Sequence, residues 1–119
     1  MSGALAIMES GQTAGSTQCA GVVLSPSSGT TPLTVNLSTT QTGGHIFYTR
    51  ALSTIDYPDP VPPTHSGDVA TGTTVRIGTT SGNVNTSSQY CTIAAITVDP
   101  AGILADSDMA TSSYAPPAP

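Results

Sequence analysis

Turn-forming residues break this chain so often that a long helix has nowhere to form. A glycine, a proline or an Asn-Thr cluster interrupts it about every ten residues. Between the breaks Leu, Glu, Lys and Arg are scarce and β-branched residues are common, a balance that suits pleated strands better than helices. Alternation of period two places strands at about Gly21–Ser25, Leu33–Ser38, His45–Arg50, Thr73–Gly78, Gln89–Val98 and Ala110–Tyr114. Short strands at this spacing predict an all-β fold, an immunoglobulin-like two-sheet antiparallel sandwich of about six to seven strands.

The alternation also assigns faces. In "LTVNLS" Leu33, Val35 and Leu37 share the inward side, with Thr34, Asn36 and Ser38 opposite. In "TTVRIGT" Val75 and Ile77 flank Arg76, whose charge is expected to point to solvent. "QYCTIAAITVD" is apolar on both sides: Cys91, Ile93 and Ala95 form one face, and Tyr90, Ala94, Ile96 and Val98 the other. Such a strand is central, or its outer face meets a partner.

At 119 residues the chain is about one domain. Two arginines, no lysine and seven acidic residues give a net charge of -5, so Arg50 and Arg76 cannot build a basic patch. Nucleic acid and anionic membrane, which demand clustered cations, are therefore not expected partners. Charged residues are only 8% of the chain, where about a quarter is usual, so hydroxyls and backbone must carry solubility. No apolar window is long enough to span a bilayer. The opening "MSGALAIMESG" has no Lys or Arg before an apolar patch shorter than the roughly 7–15 residues of a signal peptide's central region, so export by that route is not expected.

Residues 1–18 lack alternation and read as an N-terminal arm ahead of a sandwich spanning 19–116. Leu5, Ile7 and Met8 form its apolar patch and are candidate partner-binding residues, since an arm of this kind orders by packing on a neighbour in an assembly. Cys19 and Cys91 lie too far apart for a CxxC redox or zinc motif and are either two buried thiols or a disulfide tying the N-terminal segment to a core strand.

Nothing in the chain spells a catalytic motif. His45 reads as a strand-end residue. His65 follows "PVPPT" and could sit near Asp56, Asp59 or Asp68, yet no serine stands in a GxSxG elbow. The pairs Asp106/Asp108 and Asp56/Asp59 lack the flanking ligands of a calcium loop, and Asp106 reads as the cap of a turn entering the last strand. No cofactor or metal is expected. Tyr57, between "ID" and "PDP", is the one good candidate for an exposed ring, or else it folds back over the sandwich end. With Asp59 and His65 it marks "RALSTIDYPDPVPPTHSG" as a stiff acidic lip and the second candidate partner-binding surface.

From "LSPSSGTTPLTVNLSTTQTGGHIFYT" through "TVRIGT" to "TIAAITVDPAGILADSDMATSSY", over about residues 24–114, the chain resembles the chitobiase/β-hexosaminidase C-terminal type of immunoglobulin-like, fibronectin-III-associated domain. The pieces that carry the resemblance are Pro26 and Gly29 before "TVNLST", "GHIFYT" where the family has an "IYYT" run, the Ser66-Gly67 pair, and a closing alternating strand ending in Tyr114. It departs where the family commonly has "DGS" and this chain has the longer "RALSTIDYPDP". The resemblance implies a spacer or packing module and no catalysis. Two functions are compatible with all of this. One is a non-enzymatic structural protein of a virion or surface assembly, most concretely a bacteriophage capsid decoration (cement) subunit. It would be made in the host cytoplasm, sit on the virion surface and bind a protein lattice such as a major capsid protein, with self-association as a homo-oligomer compatible with that role. The other is an extracellular accessory module, a spacer or weak carbohydrate binder, of a polysaccharide-degrading enzyme.

Overall fold

The computed structural model describes residues 17–118. Its strands are β1 (Val23–Ser25), β2 (Thr34–Ser38), β3 (His45–Ser53), β4 (Thr64–Ser66), β5 (Val69–Thr71), β6 (Val75–Ile77), β7 (Ser81–Asn85), β8 (Tyr90–Val98) and β9 (Ala110–Tyr114). They form an antiparallel sandwich of two sheets, in the orders β1-β2-β7 and β6-β3-β8-β9, with β4 and β5 as a separate hairpin. The all-β expectation therefore holds, with seven strands in the sandwich proper and two more lying outside it.

Two nine-residue strands, β3 and β8, form the spine, paired without a break from His45↔Val98 to Ser53↔Tyr90. The inward set of alternate residues meets β1 and β2. Val35, Leu37, Ile46, Ile93, Cys91 and Tyr114 have no exposed surface, and Tyr48 and Ile77 pack around them. Tyr114 also closes the β1/β9 side, because its hydroxyl donates to the Pro26 carbonyl at 2.5 Å. Parallel bridges Thr30↔Ala115 and Gln18↔Ala105 tie the chain ends to neighbouring loops. The second bridge places residues 17 and 18 against the sandwich.

The opposite face of β8 is equally dry. Every residue from Cys91 to Val98 is buried. Phe47, Ile96 and Val98 form a second apolar cluster with Ala70 of the hairpin packed against it. Of the two explanations for a strand apolar on both sides, the structure supplies centrality together with an intrachain cover. The chain from residue 54 to 74, legible in sequence only as a crossing, folds back over the outer face.

Three strands escaped the sequence reading for identifiable reasons. β7, "SGNVN", has Val84 as its one inward apolar side chain, and Gly82 stands where Ile77 presses in: a Cβ there would lie 2.8 Å from Ile77 Cδ1. The β4–β5 hairpin turns on Gly67-Asp68, with Gly67 at φ 57°, the glycine-first arrangement of a II′ turn. Val75, expected inward beside Arg76, is 48% exposed because β6 is a short edge strand.

The disulfide option is corrected. Cys19 and Cys91 are both buried and both free. Cys19 bonds Ala105 beyond the C-terminal end of β8, whereas Cys91 begins that strand. About seven residues at roughly 3.3 Å each separate the two ends, far beyond the ~7 Å Cα spacing a bridge tolerates. Burial pushes both thiols up, helped at Cys19 by the charges of Asp99 and Asp106. Both thiols should resist a thiol-specific reagent in the native protein and react together once it is denatured. Rapid native labelling of Cys91 would contradict this packing. Phe47→Ala should destabilise by about 3–5 kcal/mol in denaturant unfolding, whereas a merely peripheral outer layer would lose only the ~0.5 kcal/mol of a surface substitution.

Candidate functional site

The cover that the sandwich places over β3 and β8 is held by hydroxyls. Thr49 and Thr92 sit on the outward side of adjacent strands, where valines would have been equally compatible with the pleat. Thr49 Oγ1 donates to the Val61 carbonyl, and Thr92 Oγ1 donates to the Pro58 carbonyl at 2.8 Å. The prolines at 58, 60, 62 and 63 cannot donate from their own backbones and fix φ, so the lip is stiff and its carbonyls are the groups left to anchor it. Ser53 Oγ accepts from the amides of Ile55 and Asp56, and Asp56 Oδ1 accepts from the Tyr57 amide, which shapes the turn into the lip.

This anchoring leaves side chains pointing outward. Ile55 is 84% exposed and Tyr57 54%, with Val61 also exposed on the same segment. The Tyr57 ring meets Tyr90 edge-on at 5.2 Å, so both sequence options for Tyr57 hold at once: it anchors its own loop and still presents a face to solvent. Asp59 is exposed on the same segment. His65 stands apart from them, turned under the hairpin with its ring 5.1 Å from Phe47. Leu5, Ile7 and Met8 lie outside the described residues.

The hairpin is fastened by charged groups at two corners. Asp68 at the turn accepts from His45 Nδ1 at 2.8 Å and from Arg76 Nη1 at 2.5 Å. Arg76, expected in free solvent, is thus engaged, and His45 is more than a strand end. At the other corner His65 Nε2 lies 2.6 Å from Asp106 Oδ2, and its Nδ1 lies 2.7 Å from the Gly67 carbonyl. Sequence proximity had suggested Asp56, Asp59 or Asp68 as the partner. The fold instead brings up a carboxylate from the loop before β9. The turn directly after β8 is shaped by Asp99, whose two oxygens accept from the amides of Ala101, Ile103 and Leu104. Among the described residues no cluster of three or more His, Cys, Asp or Glu is arranged to hold a metal.

A second concavity lies between the sheet edges, a groove of about 380 Å³ lined by Tyr48, Arg50, Thr73 and Val75 on one side and Asn83–Asn85 on the other. Arg50 spans it, donating from Nη1 to the Asn85 carbonyl at 2.6 Å. The sequence hid it because one of its walls, β7, was not recognisable as a strand.

The hydrogen bond from His45, with the added charge of Arg76, holds the Asp68 carboxyl below its usual range. A lowered carboxylate stabilises the fold above its ordinary value, and that contribution is lost as pH falls through the folded value. Asp68→Asn should therefore lower stability at pH 6–7 and flatten the acid limb of the stability profile, measured by thermal unfolding between about pH 2.5 and 7. An unchanged acid limb would place the acid sensitivity elsewhere. In comparison with known proteins, the chain matches no family model, no curated protein and no solved structure.

Proposed function

We propose that this protein is a non-enzymatic structural module that attaches to a protein surface, most concretely a bacteriophage capsid decoration subunit on a lattice of major capsid protein, with the proline lip as a contact face. The observation that carries this reading is the lip itself: exposed Ile55, Tyr57 and Val61 on a segment whose backbone is tied to the sheet through Thr49 and Thr92. A rigid apolar edge loses little conformational entropy on docking, and an aromatic anchor among smaller apolar groups is a common centre of binding energy. The low charge of the chain adds to this, because few ionic groups would need desolvating at the margins. Both histidines are spent on internal fastening, which suits a scaffold role. The resemblance to chitobiase/β-hexosaminidase C-terminal domains fits a module whose work is packing and spacing. On this reading the N-terminal arm, with Leu5, Ile7 and Met8, supplies a second grip on the lattice.

One observation favours the accessory-module alternative. The Tyr57–Tyr90 pair offers an aromatic edge against which a sugar ring could stack. The two readings separate in paired measurements, cosedimentation with phage particles from the source of the gene and mobility in gels containing soluble polysaccharide. The intact protein should sediment with particles, and Ile55→Asp with Tyr57→Ala should weaken attachment by tenfold or more, about 1.4 kcal/mol per decade, while thermal stability changes little. Equal attachment by the double variant would remove the lip from the interface. Retardation by polysaccharide that disappears with Tyr57→Ala would transfer the assignment to the carbohydrate module.

A further inference from the structure

His65 is the least ordinary group in the molecule. Its ring sits between the β4–β5 hairpin and the sheet, with 18% of the side chain exposed, and both of its nitrogens face oxygen. The Gly67 carbonyl can only accept. An ionised Asp106 can only accept as well. A neutral imidazole has one N–H, so it would leave a ring lone pair pointed at an oxygen less than 3 Å away. The arrangement is satisfied only when the His65–Asp106 pair holds one proton more than a neutral imidazole beside a carboxylate. The bookkeeping is the same whichever atom carries that proton.

From this we infer that His65 and Asp106 form a proton-operated latch on the hairpin, closed when protonated, that decides whether the outer apolar face of Phe47, Ile96 and Val98 stays covered. The charged groups facing it are few. Asp106 meets it directly from the loop before β9, and Asp68 faces it from the hairpin turn, itself paired with Arg76 and hydrogen-bonded to His45. Asp108, two residues from Asp106, accepts from the Gln18 amide at 2.9 Å. The hydrogen bond to Asp106 raises the His65 value above that of a free imidazole, against the opposing effect of burial. A raised value means that the latch's contribution is complete below the unfolded histidine value of about 6.5 and disappears as pH rises through the folded one. The Asp68 corner has the opposite sense, weakening in acid. Both corners are therefore fastened in a mildly acidic window, and as pH rises the His65 corner lets go while the Arg76–Asp68 pair still holds the turn.

The test is a pH titration of the intact protein by NMR, following the His65 ring nitrogens and Hε1, with binding of an apolar fluorescent dye recorded in parallel. The latch predicts an imidazolium at pH 6, a His65 midpoint above about 6.5, and dye binding that increases with that same midpoint. Asp106→Asn should move both transitions to lower pH, and His45→Gln should leave the His65 midpoint in place. A wild-type midpoint at or below the free-histidine value would overturn the inference, and so would dye binding that stays flat while His65 titrates. Because both readings come from the wild-type chain, a variant that fails to fold does not rescue the idea.

Discussion

The unbroken pairing of β3 with β8 is the constraint on which everything else rests. Nine residues of each strand are in register, and β8 is buried along both faces from Cys91 to Val98. A strand dry on both sides needs two covers, since either face left in water would expose several apolar side chains at once. The β1-β2-β7 sheet provides one. The other has to come from elsewhere, and the chain supplies it from the segment between β3 and β6.

That requirement explains the character of the proline segment. A cover that is not paired into either sheet of the sandwich lacks a ladder of backbone hydrogen bonds to hold it there, so it must be fastened through side chains. Thr49 and Thr92 serve the lip, while histidine, aspartate and arginine fasten the hairpin. In a chain with only 8% charged residues, both histidines and one of the two arginines are placed under or around this one cover. The exposed apolar edge and the internal latch are thus two sides of one device: rigidity inside presents Ile55 and Tyr57 outside.

The core strands were legible because period-two alternation is a local property. Val35 and Leu37 could be assigned to the inner face from the sequence alone, Cys91, Ile93 and Ala95 could be grouped on one face whose side the structure decided, and β3, β8 and β9 fall close to where they were expected. The lip was recognisable as a stiff proline segment with Tyr57 as its aromatic. What stayed hidden were elements whose strand character is tertiary. β7 carries one buried valine and a glycine demanded by Ile77 on the other sheet, and the β4–β5 hairpin buries Ala70 against Phe47 from far along the chain.

Sequence by itself determined the fold class and the spine, because alternation, turn residues and two-faced hydrophobicity are written residue by residue. It also showed that the outer face of β8 needed covering, but two occupants were equally compatible with it, a partner or the chain itself. Only tertiary structure decided that the chain covers its own face. It also decided that His65 meets Asp106 across forty-one positions, and that Cys19 and Cys91 stand at opposite ends of one strand. Those outcomes depend on which distant segments arrive beside one another, and no local pattern encodes that.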